Sequence, residues 1–351
     1  MNEPLLVLDY GGTKLSAGLV DRRSRGPLDG GGWLALERVK KPVGVDAGYD
    51  QTTMVELGRR LLNGRAPAAV GVSFGGPVEF GRGVVRLSHH VAGWENTPLR
   101  DQLSRAFDAP TRIDNDANAG ALGEHRYGAG RGVDSLLYVT VSTGVGGGWV
   151  LGGDVWRGFE GMAGEFGHIT IDPEGPSCVC GGRGCVERLA SGPSMAAAAA
   201  EVLAARPGTG TVLRELARDG ALTAVQLAAA AARGDEVALA ALAAGARALG
   251  IALGSTANLI NPQLFVLGGG VIKSGEPFWN VLLTTARAHA MPEVSLDIVK
   301  AKLGDDAPLW GAVALAHDAL STEVLTTEVL TTGAVATDGM TTEALTTEQG
   351  S

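Results

Sequence analysis

The chain has 351 residues, an ordinary apolar fraction of 45% and a low charged fraction of 19%. This length is sufficient for two domains that each have a hydrophobic core. The formal net charge is −9, but residues 321–351 carry five acidic groups and no lysine or arginine, which leaves −4 for the rest. Because the chain lacks a block of basic residues, its composition argues against nucleic-acid binding.

The N-terminal residues and the apolar segments indicate neither secretion nor membrane insertion. Residues 1–12 lack a basic region followed by a long apolar core, so we expect no signal peptide. Uncharged apolar windows fall short of the length that spans a bilayer, so we expect no membrane partner. Reduced cysteines beside a zinc ion would fit a cytoplasmic protein.

Apolar runs and helical periodicity predict strands and helices that alternate along the chain. Residues 5–8 and 15–20 predict a β-hairpin with its turn at 9–14, rather than the strand-to-helix unit of a Walker loop. Such alternation is typical of the α/β class. The other predicted elements are strands at 68–73, 111–113 and 264–267, a second hairpin at 136–151, and helices at 51–63, 99–107, 117–127 and, with breaks near 207–208 and 234–235, over 195–250.

Residues 321–351 differ in character from the rest of the chain. They form a five-residue repeat that is rich in threonine and lacks aromatic residues. A period of five matches neither a helix face nor a strand face. We therefore expect a disordered, low-complexity tail without a catalytic role.

All three cysteines of the chain lie within eight residues, close to one histidine. His168, Cys178, Cys180 and Cys185 offer one imidazole and three thiolates, which is a ligand set of closed, tetrahedral structural zinc sites. Ordinary buried cysteines and a redox pair are the alternatives, although the spacing of Cys178 and Cys180 is CxC rather than CxxC. The clustering favours structural Zn²⁺.

Glycine turns at residues 9–14 and 142–148 look like two copies of one anion-binding device. Glycines let backbone amides approach a phosphate, and a carboxylate at Asp9 is suited to hold Mg²⁺ through water. A plain hairpin and a flexible loop are the respective alternatives. A third glycine run, at 268–270, follows an apolar strand and would permit close approach to an adenine or a ribose.

Asp116 lies where a strand is predicted to meet a helix. Aspartate at this position most often caps the helix N-terminus, and the motif alone favours that role. The alternative is a general base, because a carboxylate at the mouth of an α/β sheet faces the ligand crevice. The residues alone leave both roles open.

Residues 73–77 are predicted to end a strand in a tight turn, and residues 89–94 are predicted to form an exposed aromatic loop. His89 and His90 are adjacent in sequence and lack an acidic partner nearby, so we do not expect them to bind a metal. Pro77 and Trp94 are each suited to form an apolar wall for a sugar ring, and Trp94 is equally suited to the core.

Taken together and in order, these motifs resemble the ROK family of sugar kinases and sugar-responsive repressors. The resemblance extends from Asp9 to about Ala316 and is most specific at residues 167–187. It implies an actin/hexokinase-like (ASKHA) α/β fold of two domains, with ATP in the interdomain cleft. The matching segments are 9–14, 73–78, 113–124, 141–148, 265–271 and 303–316.

The resemblance also implies a role for each candidate residue. Asp116 would be the catalytic base that deprotonates a sugar hydroxyl, with Mg²⁺ neutralising the charge on the transferred group. The metal ligands would be His168, Cys178, Cys180 and Cys185. The sugar would be held by Gly76, Asn115, Asp116, Glu165, His168 and Glu187, and ATP by Asp9, Gly11, Gly12, Thr13, Lys14, Thr143, Gly144, Gly268 and Gly269.

The resemblance further implies domain boundaries, a substrate and an assembly state. We expect a small domain of residues 1–113 plus about 306–320, a large domain of 114–305 with the zinc loop, and a homodimer. The expected reaction is ATP-dependent phosphorylation of glucose, the alternatives being N-acetylmannosamine, N-acetylglucosamine, mannose or fructose as substrate, or a sugar-binding sensor without turnover. Gly75 and His90 depart from the residues common in the family, proline and asparagine, and bear on this specificity.

Repressors of the family carry a helix-turn-helix before the first glycine hairpin. Only eight residues precede Asp9, so we expect a kinase rather than a repressor. Relatives that use polyphosphate usually lack the cysteine cluster, which favours ATP as the phosphoryl donor.

Overall fold

A computed structural model describes residues 3–88, 90–218 and 220–333, with the backbone alone for 322–333, and within these ranges it contains two five-stranded sheets. The strands are β1 (Leu5–Tyr10), β2 (Lys14–Val20), β3 (Trp33–Lys40), β4 (Ala69–Phe74), β5 (Val78–Glu79), β6 (Val84–Val85), β7 (Thr111–Asn115), β8 (Ser135–Val141), β9 (Val145–Leu151), β10 (Asp154–Trp156), β11 (Leu264–Gly268) and β12 (Ile298–Lys300). The helices are α1 (Ala47–Leu62), α2 (Leu99–Phe107), α3 (Asp116–Tyr127), α4 (Val186–Ala190), α5 (Gly192–Ala205), α6 (Thr211–Leu216), α7 (Ala224–Ala232), α8 (Glu236–Ile260), α9 (Glu276–His289) and α10 (Ala307–Gly333).

The two sheets have the same topology. The first has the order β3-β2-β1-β4-β7 and the second the order β10-β9-β8-β11-β12. In each, three strands form an antiparallel meander and two more are added in parallel. The predicted hairpins are therefore confirmed, and the similarity of the two glycine turns extends to the strand order of the sheets around them.

Helices α3 and α10 lie between the two sheets and form a shared core layer. This core contains Leu5 and Val7 of β1, Leu122 of α3, Tyr138 of β8 and Trp310 of α10. The outer face of the first sheet is covered by α1 and α2, and that of the second by α4, α5, α7, α8 and α9. Strands covered by helices on both faces read as continuous apolar runs, which is why residues 5–8 predicted β1 well.

The first sheet and α10 touch through backbone atoms at Gly71 of β4. A Cβ on Gly71 would overlap the carbonyl oxygen of Ala312. We expect Gly71→Ala to lower the free energy of unfolding by about 3 kcal/mol, because neither the strand nor the helix backbone can yield to the added methyl. Urea denaturation measures this loss.

The control for that substitution is Gly208→Ala, at an open position between α5 and α6. A Cβ on Gly208 would have no neighbour within 4 Å. We expect a change of at most about 1 kcal/mol, with a stabilising sign because alanine restricts the unfolded chain. Equal losses in the two variants would contradict the close contact between β4 and α10.

Helix α8 is long and apolar enough to cross a membrane by length and composition, but its most apolar window is 61% buried inside the protein. It packs against α9, α7 and α5 in the core of the second sheet. Small residues such as Gly250 and Gly254 let α9 approach closely. This burial is that of a core helix.

The C-terminal segment begins differently from the prediction. Helix α10 continues through Gly333, so residues 321–333 are helical where the repeat pattern predicted a disordered tail. Elongating a helix that is already formed adds one hydrogen bond per residue without a new nucleation cost, so a segment without an apolar face can still extend it. Residues 334–351 lie outside the described residues, and the prediction for them stays a prediction.

Candidate active site

The first glycine hairpin is held at both ends by backbone hydrogen bonds. Gly11 N–H donates to Lys14 O at 3.1 Å, which closes the turn between β1 and β2. Thr13 O accepts from the N–H of Lys41 at 2.9 Å. Asp9, at the end of β1, accepts a hydrogen bond of 2.9 Å from Ser73 Oγ on the neighbouring strand β4. The hairpin thus presents a carboxylate, a hydroxyl and a lysine around a fixed glycine turn.

The residue that caps α3 is Asn115, not Asp116. Asn115 Oδ1 accepts from the N–H groups of Ala117 at 2.9 Å and Asn118 at 3.3 Å, which are free donors of the first helical turn. Its Nδ2 donates to Gly76 O at 3.1 Å. Asn115 and Gly76, which are both predicted sugar-binding residues, are therefore in direct contact. The capping role that the motif favoured for Asp116 is therefore wrong.

Asp116 is the first residue of α3 and is half-buried. Its Oδ1 accepts the N–H of Ala117 at 2.8 Å. Burial, with a further contribution from the nearby Asp9 carboxylate, raises the pKa of Asp116 to about 7. Burial also raises the pKa of Asp9, against the hydrogen bond from Ser73. A carboxyl that titrates near neutral pH is suited to proton transfer.

Three chain segments converge at Gly75, in the turn that follows β4. A Cβ at this glycine would lie 3.1 Å from Tyr10 O, 3.7 Å from Asp116 Oδ2 and 3.8 Å from Gly12 N. The first glycine hairpin and Asp116 therefore face one another across a space that a side chain at position 75 would enter. The structure thus brings the predicted base to the predicted phosphate loop.

The second glycine motif is shorter as a loop than the sequence suggested. Ser142 N–H donates to Gly144 O at 2.8 Å and forms the turn, whereas residues 146–148 belong to strand β9. A Cβ on Gly147 would lie 2.7 Å from Gly164 O, and one on Gly148 would overlap Ala117 O. These glycines let β9 pack directly against the start of α3 and the segment before Glu165.

Glu187, a predicted sugar ligand, is bonded to the second glycine turn. Its Oε2 accepts the N–H of Val145 at 2.9 Å, and a Cβ on Gly144 would lie 2.6 Å from the same oxygen. Gly192, the first residue of α5, donates its N–H to Ser142 O, with a hydrogen-bond length of 2.9 Å. The predicted sugar-binding and phosphate-binding segments are therefore in direct contact here.

The four predicted metal ligands come together in space. The ligand atoms of His168, Cys178, Cys180 and Cys185 all lie within 4.8 Å of one another. The sulfur atoms of Cys180 and Cys185 are 3.7 Å apart, and Cys178 Sγ is 3.8 Å from His168 Nδ1. A tetrahedron with metal–sulfur bonds of about 2.3 Å has edges of about 3.8 Å, so the arrangement fits Zn²⁺.

His168 stands between the cysteines and Glu165. Its Nδ1 faces Cys178, while its Nε2 lies 3.9 Å from Glu165 Oε2. A metal on Nδ1 would fix the ring and leave Nε2 directed to the side of Glu165. Gly167 packs so closely on Val145 that a Cβ would overlap the Val145 carbonyl oxygen, which joins this segment to β9.

The remaining predicted residues have more ordinary surroundings. Gly269 has φ +88°, and an added Cβ there would overlap Val141 O. A Cβ on Gly268 would lie 2.7 Å from the Tyr138 hydroxyl. Both glycines therefore allow β11 to pack closely on β8. Trp94 is fully buried against Tyr10 and Phe74, so of its two suggested roles it has the core role.

The histidine pair is only partly within the described residues, because His89 lies outside them. His90 is exposed, and its Cδ2 would lie 3.4 Å from a Cβ on Gly12. The imidazole therefore stands beside the first glycine hairpin, where it can influence what binds there.

Sequence reasoning missed two ion pairs near these loops. Lys41 Nζ lies 2.6 Å from Asp50 Oδ2 in a nearly fully buried pair, and 3.4 Å from Gly11 O in the first hairpin. Arg157 pairs with Asp114, the residue before Asn115. The partners are nine residues apart in the first pair and 43 in the second, and neither separation follows a local spacing rule, so no sequence pattern indicated the pairs.

Comparison with known proteins agrees with this geometry. The ROK family model matches residues 5–319. A glucokinase of Halalkalibacterium halodurans is 38% identical over 247 residues, which are 69% of this chain and 74% of the relative. A ROK family glucokinase from Streptomyces griseus, solved in complex with glucose and AMPPNP, has a TM-score of 0.77 at 32% identity and covers 90% of this chain and 99% of its own.

A ROK family transcriptional regulator, described as a homolog of the E. coli MLC protein, has a TM-score of 0.80 at 25% identity and covers 94% of this chain and 82% of its own. The two similar α/β sheets with a shared helix layer define the class as actin/hexokinase-like, as the sequence predicted. The chain belongs to the ROK family, and the resemblance to its glucokinase-like sugar kinases is confirmed.

Proposed function

We propose that the protein is an ATP-dependent hexose kinase that phosphorylates the 6-hydroxyl of glucose, with Asp116 as general base. The observation that carries the proposal is the placement of Asp116. Its carboxyl has a pKa of about 7 and faces the glycine hairpin that follows Asp9. Phosphoryl transfer needs such a base beside a phosphate cradle, because the sugar oxygen must lose a proton as it attacks.

In this proposal the sugar hydroxyl attacks the γ-phosphorus of ATP while its proton passes to Asp116. The bond from the γ-phosphorus to the β–γ bridging oxygen breaks, and ADP leaves with that electron pair. Asp116 Oδ1 is held by the N–H of Ala117, and Oδ2 lies on the side of Gly75, so we assign proton acceptance to Oδ2. Asn115, by capping α3, keeps this carboxylate at the mouth of the sheet.

ATP would be held by the two glycine turns, through Gly11, Gly12, Thr13 and Lys14 in the first and Thr143 and Gly144 in the second, with Gly268 and Gly269 nearest the nucleoside. Asp9 fits Mg²⁺, since it is a carboxylate at the strand end beside the first turn. When bound, Mg²⁺ would neutralise charge on the transferred phosphoryl group. Zn²⁺ would be held by His168 and the three cysteines.

The sugar hydroxyls would be held by Gly76, Asn115, Glu165, His168 and Glu187. Carboxylates accept hydrogen bonds from two hydroxyls in a fixed geometry, which suits a hexose. The contact of Glu187 with Val145 supports a sugar site next to the second phosphate turn. We further propose a cytoplasmic homodimer whose domains comprise residues 1–113 plus about 306–320, and 114–305.

The alternative substrates within the same class are N-acetylmannosamine, N-acetylglucosamine, mannose and fructose. Gly75 and His90 are the positions that bear on the specificity among these sugars. The likeness to a ROK transcriptional regulator supports a second candidate function, a sugar-binding sensor without turnover. The two functions differ in whether ATP is consumed.

Release of ADP, measured with Mg-ATP and a panel of hexoses and amino sugars, separates these candidates. We expect turnover on glucose to exceed that on the other sugars. Turnover on another sugar alone would replace glucose as substrate. A sugar that raises the melting temperature while none releases ADP would establish the sensor instead of the kinase.

A further inference from the structure

Arg157 and Asp114 form an ion pair between the two sheets. Nε and Nη2 of Arg157 donate to Asp114 Oδ2 at 2.9 Å and 2.7 Å. Arg157 directly follows β10, an edge strand of the second sheet, whereas Asp114 lies in β7, an edge strand of the first. The pair therefore joins the edges of two sheets.

The surroundings of this pair fix its geometry. The Asp114 side chain is 1% exposed and that of Arg157 is 22% exposed. The guanidinium carbon lies 3.5 Å from the centroid of the Phe80 ring, and Nη1 donates to Val155 O at 3.1 Å. An arginine that is held by a carboxylate, an aromatic face and a carbonyl has little freedom to reorient. Loss of the arginine would leave a buried carboxylate without its counter-ion.

The second oxygen of Asp114 bonds to the residues that surround the candidate base. Its Oδ1 accepts from the N–H of Asn115 at 2.8 Å and from Nδ2 of Asn118 at 3.1 Å. These two residues flank Asp116 at the start of α3. The carboxylate of Asp114 thus links the Arg157 guanidinium to the residues on either side of Asp116.

Arg157 also begins the loop that leads to Glu165. Three glycines of this loop, Gly158, Gly161 and Gly164, have φ between +71° and +91°, and Ala163 N–H donates back to Arg157 O at 3.0 Å. The loop is therefore closed on Arg157. The ion pair fixes the start of the loop to the first sheet, and the loop ends at Glu165.

We infer that Arg157 is a positioning residue that holds Asp116 and Glu165 in the relative position needed to bind one sugar. It does so by fixing the β7–α3 junction relative to the glycine loop at 158–164. This inference rests on the proposed kinase function for its kinetic readout. Arg157 acts through Asp114 and through the loop, rather than by contact with the reacting atoms.

The test compares Arg157→Met with Arg126→Met. Arg126 lies at the C-terminal end of α3 and makes a two-bond pair with Asp318, at 2.7 Å and 3.0 Å. The control therefore removes an arginine–carboxylate pair, a more exposed one, at the end of α3 that is remote from Asp116. We expect Arg157→Met to lower kcat about 10- to 100-fold and to raise the sugar KM about 10-fold. The ATP KM of this variant and all constants of Arg126→Met should stay within about threefold.

Two further variants separate positioning from general stabilisation. Asp114→Asn keeps an acceptor oxygen for Asn115 and Asn118 but lacks the charge that holds Arg157, so it should share the kinetic defect. Arg157→Lys keeps the positive charge but lacks the planar fork, and it should recover part of kcat. This lysine variant supplies the comparison if Arg157→Met does not fold.

Hydrogen exchange provides a readout that does not depend on turnover. The amides of Asn115, Ala117 and Asn118 should exchange faster in Arg157→Met than in Arg126→Met. Equal exchange there, or a lower melting temperature with unchanged kinetic constants, would overturn the inference. If the unmodified protein releases no ADP, the proposed function fails, and the exchange comparison alone decides the role of Arg157.

Discussion

Replacing Asp116 with asparagine should reduce sugar-dependent ADP release by about 10²- to 10⁴-fold, the range expected for loss of a general base. Asparagine has nearly the same shape, and its Oδ1 can still accept the N–H of Ala117 that Asp116 binds at 2.8 Å. The variant should therefore bind the sugar with nearly unchanged affinity in calorimetry. The loss would fall on kcat because the attacking hydroxyl has no acceptor for its proton.

The matched control is Asp134→Asn, which makes the same chemical change at an exposed aspartate just before β8. We expect unchanged kcat and KM for it. Turnover retained by Asp116→Asn would remove Asp116 from the reaction and with it the proposed mechanism.

The pKa of Asp116 predicts the pH dependence of both activity and stability. Activity requires the ionised carboxylate, so kcat/KM should rise with pH up to about 7 and then level off. The folded-state pKa is above the unfolded value of 3.8, so the unfolded chain releases this proton first and the contribution of Asp116 to stability falls between about pH 4 and pH 7. Asp116→Asn should therefore gain stability relative to the unmodified protein at pH 8, while losing activity.

Replacing Cys180 with serine should remove bound zinc and weaken sugar binding together. Cys180 is exposed, so the change leaves the packing of the core intact and removes a single ligand of the four. In the proposed site the metal holds His168 Nδ1, so we expect its loss to loosen the ring and the orientation of Nε2 beside Glu165. We expect zinc content to fall from one atom per chain to near zero, and the sugar Kd to rise about 10- to 100-fold.

Zinc content by atomic emission and sugar affinity by calorimetry measure the two effects. Ser177→Ala, a substitution in the same loop outside the ligand set, should change neither. A Cys180→Ser protein that lacks zinc and binds sugar normally would refute the shared role of His168. Full zinc content in that variant would remove Cys180 from the ligand set.

The sequence predicted elements whose signals are local and missed relations that arise only from packing. Helix α2 was predicted to the residue, because its apolar positions and flanking breaks lie within a single short segment. The motif alone favoured Asp116 over Asn115 as the cap of α3, because asparagine and aspartate cap equally well and adjacent positions differ only in backbone conformation. Residues 146–148 were predicted to lie in the glycine turn but belong to strand β9. A run of glycines does not reveal in sequence that other backbone segments pack against it, as they do at Gly147 and Gly148.

The site shows the same division. The four metal ligands were predicted because cysteine clustering is visible in sequence, and the structure brings them within 4.8 Å. The pairing of Arg157 with Asp114 spans 43 residues and joins different sheets, so only the three-dimensional arrangement shows it. The hydrogen bond between Glu187 and Val145 spans 42 residues and was missed for the same reason.

The close contact of α3 with α10 has a mechanical consequence. A Cβ on Gly311 would overlap Ala119 O, and one on Gly123 would overlap Ala307 O, so the two helices interlock through their backbones along the middle of the molecule. Packed interfaces of this kind resist sliding. We therefore expect the two sheets to resist shear and the cleft to open by hinge rotation about the α3–α10 axis, with displacements that grow with distance from that axis.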